Sequence, residues 1–463
     1  MALLPYGAGK PSYITNETIN QGTTFLALGD SITFGTGAST TATDYVNRLA
    51  LAKNWTVNNQ GVSGSKVNDT NVTDYSYAKT AANGDNTTLM IGVNNSQQNG
   101  TDLNYLDTFR GNVAAVSAWL TIPDGFKIRA SAATKTGTWA VNTGIYGSMD
   151  YVSTTNASTM TAIVTGTTAY IGHIRSVGVT GTFTVTIDGV NCGTFNTSGS
   201  VPARIVDSAT YGAYLLRFPG LKTGPHTIVV TVTSVTSASN PVYIDWFGGN
   251  GFEHDINDPC LWLANTTRAT SAYYTAHAPF TDAAVSLYNN AVAEVYNDLS
   301  TDGLNIMFVD AAHAYIIPTD VAADGLHPAD SGHQKLANVF ASAMSSIVKP
   351  RDRGAMMRQN SAWQDAALLN SWVNYGTPYY NVGYMKDSYG FIHLRGITKS
   401  GVISSTIPIF TLPISYRPGQ TVHFVVDSNA AHGVVEVDKQ GNLVANAGNT
   451  LYVAFDGIIF FAG

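Results

Sequence analysis

Charge is scarce in this chain. Only 12% of its 463 residues are Asp, Glu, Lys or Arg, and no basic run or stripe occurs, which argues against a nucleic-acid partner. The formal net charge of −7 favours neutral over polyanionic ligands. Cysteine is nearly absent. Cys192 and Cys260 alone make neither a disulfide framework nor a zinc pattern, and both are expected as free or buried thiols. No apolar stretch reaches the ~18 residues that span a bilayer, and Met1 to Thr15 shows no basic-plus-apolar leader. A chain with no membrane span and no visible signal peptide is therefore expected. With no His-x-x-x-His pair, carboxylate cluster or Gly-rich phosphate loop, neither a metal nor a cofactor is expected.

What is present fits a large β-rich protein. Hydrophobic residues make up 44%, enough for a sizeable core, and the length suggests about three domains at ~150 residues each. Thr, Asn, Ser and Gly are abundant, a makeup common in extracellular and viral β-proteins and unlike that of a disordered chain. The 24 Tyr suit half-buried strands or sugar-stacking surfaces. Trp139, Tyr170, Tyr243 and Trp246 are open to either use.

The hydrophobic pattern changes twice along the chain. From 22 to 125, apolar runs at Phe25–Leu28, Trp55–Val57 and Thr88–Ile91 alternate with helical spacing, as in Leu103, Leu106, Phe109, Val113 and Val116. Thr43 is a candidate cap for a helix through Tyr45 and Leu49. From Phe126 to Phe247 the segments are short, alternating and rich in Thr and Val, with a hairpin signal at Asp188-Gly189; this reads as a jelly-roll β-sandwich inserted into the α/β unit. Strand–helix alternation then resumes at Cys260–Leu263, Val285–Leu299 and Ile306–Val309. Asp330 or Ser331 is placed to cap a last helix, and Lys349 to Arg353 reads as a linker. The remainder is β-rich and punctuated by Gly and Pro.

Four scattered segments carry chemistry. Ser31, in Gly29-Asp30-Ser31, follows a buried strand at a turn that opens towards a helix, where a hydroxyl is exposed and rigidly held. A serine attacks a carbonyl if a base takes its proton. His327 is the candidate base, and Asp324, three residues earlier, can accept from the other ring nitrogen and fix the tautomer. Among His254, His277, His313 and His333 no such companion is expected. Gly92 would let the chain turn off its strand so that Asn94 points inward, and Gly61 is a glycine where a Cβ would crowd a substrate.

Together Gly29-Asp30-Ser31, Gly61, Gly92-Val93-Asn94 and Asp324-Gly325-Leu326-His327 resemble the SGNH (GDSL-type) esterase family, named for its Ser, Gly, Asn and His. The resemblance implies an α/β fold: a flavodoxin-like three-layer hydrolase domain split over 1–125 and 251–350, with the inserted β-sandwich at 126–250, which resembles a carbohydrate-binding module, and the C-terminal unit at 351–463. It implies Ser31, Asp324 and His327 as catalytic triad. The oxyanion hole would be the backbone N–H groups of Ser31 and Gly61 and the side-chain amide of Asn94. Gly64 is an alternative to Gly61, although Asn59-Gln60-Gly61 fits the family block better. The family block reads Gly-x-Asn-Asp, whereas Asn95 stands in the last position here. The runs Gly383–Gly396 and Ile409–Pro418 and the ending Gly457–Phe461 resemble C-terminal heads of phage tail fibres, which are usually trimeric. These resemblances imply an O-acetylesterase acting on acetylated bacterial surface polysaccharide, as a homotrimer on a virion or outside the cell. A lipase- or thioesterase-like enzyme and a non-catalytic receptor-binding fibre are the alternatives.

Overall fold

Five short strands form a parallel sheet: β1 (Thr24–Gly29), β2 (Thr56–Gly61), β3 (Asn86–Met90), β4 (Cys260–Ala264) and β5 (Ile306–Val309). Their spatial order is 2-1-3-4-5, and every neighbouring pair is parallel. The computed structural model describes residues 24–78, 86–142, 150–235, 241–251, 259–345, 363–387, 391–413 and 416–461. Met1 to Thr15, His254, the linker at Lys349 to Arg353 and the 350/351 boundary lie outside the described residues, as do Ser388 to Gly390 and Ile414-Ser415.

The strands read as continuous apolar runs because helices cover both faces of the sheet. Leu26, Leu28, Leu89, Leu261 and Leu263 pack with the helices Leu103–Thr121 and Asp282–Thr301. On the other face Phe25, Ala27, Met90 and Trp262 meet Tyr45–Lys53 and Asp330–Ser345. Two helix starts differ from the sequence expectation. Asp44 rather than Thr43 caps Tyr45–Lys53, its Oδ1 accepting from the Asn47 N–H at 2.7 Å. Asp330 is the first residue of its helix, and its carboxylate reaches back to Ser39. Among the described residues no helix is long and apolar enough to cross a membrane.

Between Lys127 and Gly249 nine strands form an antiparallel assembly. Hydrogen bonding runs through all nine strands as one continuous sheet, which encloses the apolar interior that the sequence assigns to a sandwich. Two unusually long strands cause this, Thr159–Ser176 and Tyr211–Ser234, paired along their length. They bend at Gly166, with φ +150°, and at the register shift between Pro219 and Gly224, and an apolar interior forms around Met160, Ile171, Phe183, Val185 and Ile228. Asp188 and Gly189, both at positive φ, make the expected hairpin turn.

The other face of this sheet has no core of its own. Tyr170, Ile174, Ala213, Leu215 and Trp246 join one cluster with Val113, Val116, Trp119 and Tyr77 of the α/β unit. Trp246 donates from Nε1 to the Tyr77 hydroxyl at 3.0 Å and lies 5.5 Å from the Trp119 ring. Tyr170 donates to Asp302 at 2.7 Å. Trp246 and Tyr170, candidate sugar-stacking rings in the sequence, are thus fully buried joints between the two units. From Gln364 to Phe461 three small antiparallel sheets enclose a separate core around Trp372, Tyr384, Phe410 and Phe455. Arg268 ties that unit to the α/β unit through Asp365 at 2.6 Å.

Asp150 and Asp245 are fully buried, and among the described residues none of their four carboxylate oxygens has a hydrogen-bond partner. Burial, aided by the Asp74 charge, pushes Asp150 up to about 7. Burial and the Asp150 charge push Asp245 well above the carboxylate range. The folded state therefore keeps protons that the unfolded chain releases above about pH 4, and the pair's contribution to stability is full below that pH and is lost as pH rises through about 7. Asp245→Asn is expected to raise the thermal midpoint at pH 8 and to leave it nearly unchanged at about pH 3, below the unfolded carboxyl's titration. Identical midpoints for variant and wild type at both pH values would show that the pair carries no such penalty.

Candidate active site

In an open parallel sheet, ligands bind beyond the carboxyl ends of the strands where the strand order reverses. Here that point lies between β1 and β3, and Ser31 and Asn94 follow those two strands. β1 ends at Gly29, where a Cβ would come within 2.1 Å of Thr33 Oγ1 and 2.5 Å of the Met90 carbonyl. Asp30 then caps the one-turn helix Ser31–Phe34 by accepting from the Ile32 N–H at 3.0 Å, and Gly35, at φ +102°, closes it. The Asp30 carboxyl is buried, with Oδ2 unpartnered, and burial pushes it up to about 7 against the pull of its backbone hydrogen bonds.

The structure brings Ser31, Asp324 and His327 together. His327 Nε2 lies 2.8 Å from Ser31 Oγ, and its Nδ1 lies 2.6 Å from Asp324 Oδ2. The other Asp324 oxygen accepts from the Leu326 and His327 N–H groups at 2.9 and 3.0 Å. Burial works to raise the Asp324 carboxyl, but the His327 side chain and these two backbone donors outweigh it and hold it below the usual carboxylate range. Asp324 therefore stays ionised opposite Nδ1, the state that stabilises an imidazolium.

A clamp fixes the serine loop against the histidine. Ser39 donates to Asp330 from its N–H at 2.8 Å and from its hydroxyl at 2.6 Å. His333, a fully buried imidazole, bridges the Thr36 carbonyl at 3.1 Å and the Tyr45 N–H at 3.2 Å. Gly37 sits so close that a Cβ would fall 2.3 Å from the Pro328 carbonyl and 3.0 Å from His327 Cβ, and its φ of +94° also calls for glycine.

The donors around Ser31 differ in one position from the expected set. The Gly61 N–H is already used, donating to Asn59 Oδ1 at 2.9 Å. Nor is Gly61 small to admit a substrate: a Cβ there would meet the Phe34 N at 2.3 Å, so it makes room for the nucleophile's own helix. Gly64 is exposed, at φ +82°, and among the described residues no protein atom accepts from its N–H or from that of Ser31. Gly64 thus has the better claim to the glycine donor. Gly92, at φ +135°, turns the chain off β3 into the helix Val93–Asn99. Asn94 there donates to the Ser65 carbonyl at 3.0 Å, leaving its second amide proton for a ligand. Asn95 is buried and accepts from the Val67 N–H at 3.2 Å. It supplies the acceptor oxygen that an aspartate would, and so preserves the loop that carries Gly64.

Contrary to the sequence expectation, His313 has an aspartate companion of the same spacing. Asp310-Ala311-Ala312-His313 is a second Asp-x-x-His, and His313 Nδ1 does lie 2.8 Å from Asp310 Oδ2. His226 with Asp188 and His393 with Asp387 form further pairs. Among the described residues, His327 is the histidine with a serine hydroxyl on its other nitrogen. The spacing alone therefore does not identify the base, whereas partnership with Ser31 does.

No family model matches this chain, and no curated protein matches its sequence. Among solved structures, it is similar at a TM-score of 0.30 and 11% identity to a two-domain esterase active on acetylated mannans, over 50% of this chain and 92% of that one. It is also similar at a TM-score of 0.20 and 21% identity to a carbohydrate-binding module of the CBM36 type, solved with calcium and xylotriose, over 26% of this chain and 96% of that one. A CBM36 domain of a xylanase from the hindgut metagenome of Trinervitermes trinervoides gives 0.21 and 18%, over 26% and 92%.

The arrangement supplies a nucleophile and a base with an ionised partner, the pair that acyl transfer requires. With p-nitrophenyl acetate as substrate, Asn94→Ala is expected to lower kcat by ~10²–10³-fold with little change in KM. Asp324→Asn is expected to lower it by ~10⁴-fold. Steady-state kinetics check both, and an Asn94→Ala rate equal to wild type would remove Asn94 from the oxyanion hole.

Proposed function

We propose that this chain is a serine esterase of the SGNH type that removes O-acetyl groups from a bacterial surface polysaccharide. The observation that carries the reading is the unbroken relay from Asp324 through His327 to the Ser31 hydroxyl, at 2.6 and 2.8 Å. The 2-1-3-4-5 strand order, that of doubly wound flavodoxin-like sheets, supports it by setting the relay at the switch point.

The chemistry follows from the geometry. Ser31 Oγ attacks the ester carbonyl while His327 Nε2 takes its proton. The resulting oxyanion is met by the N–H groups of Ser31 and Gly64 and by the Asn94 amide. His327, now protonated and stabilised by Asp324, returns the proton to the leaving alcohol as the carbon–oxygen bond breaks, leaving an acyl-enzyme. Water, deprotonated by the same imidazole, then releases acetate and regenerates Ser31.

The first test is p-nitrophenyl acetate hydrolysis by wild type beside Ser31→Ala. Turnover is expected in wild type and its loss, by ~10³-fold or more, in the variant. Equal inactivity would favour a receptor-binding protein without catalysis. Acetate release from acetylated capsule or O-antigen tests the substrate class, and preference for long acyl chains would instead favour a lipase-like enzyme. The tail-fibre-like C-terminal sequence supports display on a phage particle as a homotrimer. Light scattering of the full chain is expected to give the mass of three chains, and a single-chain mass would overturn the trimer.

A further inference from the structure

Residues Val201 to Thr210 of the inserted unit run beside the active site with almost no regular structure, yet they are tightly fastened. Arg204, 2% exposed, pairs with both oxygens of Asp74 at 2.9 and 3.3 Å and with Asp207 at 3.3 Å. It also donates to the Tyr211 hydroxyl at 3.0 Å. The Ile205 N–H donates to Asp69 Oδ1 at 2.6 Å. Asn68 donates to the Pro202 and Tyr211 carbonyls at 2.9 and 3.2 Å. Apart from Asp207 and Tyr211, these anchors lie in residues 68–74, shortly after Gly64. Within the strap, the Arg204 N–H reaches the Ala209 carbonyl at 3.0 Å, and Ser208 takes a φ of +56° to bring the chain back.

The strap presents two apolar side chains that this fastening does not bury. Ile205 is 46% exposed and Val206 is 72% exposed. Ile205 Cδ1 is the nearest atom to the open side of Gly64, 3.5 Å from where a Cβ would stand. An aliphatic group left exposed on a rigid support costs solvation and ordering, and here it borders the proposed oxyanion donors.

Resting on the esterase reading above, we propose that Ile205 is the residue that limits the acyl group to acetyl. Three of the four bonds at the tetrahedral carbon have their directions assigned: one to Ser31 Oγ, one to the oxyanion among the N–H donors, one to the leaving oxygen facing His327 Nε2. In this assignment the acyl substituent takes the fourth and runs past the Gly64 donor towards Ile205, the side chain nearest that glycine. A methyl group fits against Ile205, and each further methylene collides with a side chain whose backbone is pinned by Asp69 and Arg204. The inserted unit thereby sets the specificity of a reaction performed by residues outside it.

The experiment measures kcat/KM for p-nitrophenyl acetate, propionate and butyrate with full-length wild type, Ile205→Ala and Val206→Ala. Ile205→Ala is expected to raise the butyrate-to-acetate ratio by ~10-fold or more, with the acetate value changed less than about three-fold. Asp69→Asn, which weakens the hold on the Ile205 N–H and leaves the Ile205 side chain in place, is expected to raise the same ratio by a smaller factor. Hydrolysis with an unchanged ratio in Ile205→Ala overturns this assignment and leaves the esterase reading standing. A parallel fall of all three substrates in Ile205→Ala, with a native circular-dichroism spectrum, also overturns it. Absence of turnover in wild type, with no labelling of Ser31 by a small sulfonyl fluoride, overturns the esterase reading itself.

Discussion

The contact between Ser31 and His327 is the interaction to which the rest of the molecule answers, because it joins residues 296 positions apart. One such hydrogen bond contributes ~1 kcal/mol net, less than the ~1–2 kcal/mol of backbone entropy lost per ordered residue. It cannot gather two loops by itself. The strand ends deliver Ser31, Asp330 and His333 hold the segment after it, and Gly37 lets that segment touch His327 and Pro328. The catalytic distance is inherited from packing and capping.

Three aspartates near this contact show how environment sorts identical side chains into different work. Asp324 receives three N–H donors and is held ionised. Asp30, one residue from the nucleophile, receives one backbone donor from Ile32, keeps an unpartnered oxygen and is pushed up to about 7. Asp330 is in water, but the Ser39 hydroxyl and N–H still pull it down to about 2. The first polarises, the second caps a helix and the third clamps. Number and direction of donors decide these outcomes, together with burial.

Features set by neighbours in sequence were legible without coordinates. Ser31 after an apolar run, Gly92 before Asn94 and Asp324 before His327 are short-range patterns, and the five strands of the parallel sheet fall close to their apolar runs. What was not legible depended on distant or side-chain geometry. Whether Gly61 or Gly64 offers its N–H is decided by the Asn59 side chain folding back on Gly61. The burial of Trp246 and Tyr170 needs Tyr77, Trp119 and Asp302 from the other unit. The Arg204–Asp74 pair spans 130 positions, so nothing local marks Ile205 as part of the site. The continuous nine-stranded sheet was hidden because strand length, unlike alternation, is blurred by Gly166 and Pro219.

The core that the inserted unit shares with the α/β unit has an architectural consequence. Modules joined by flexible tethers can be lost or exchanged without harm to their neighbours, but here Trp119, Tyr77 and Val116 finish their packing only against Trp246, Tyr170 and Leu215. Excision of Phe126 to Asn250 would leave an open apolar wound on the helix Leu103–Thr121. Inserted unit and α/β unit form a single core, and they must be inherited, engineered and denatured as one.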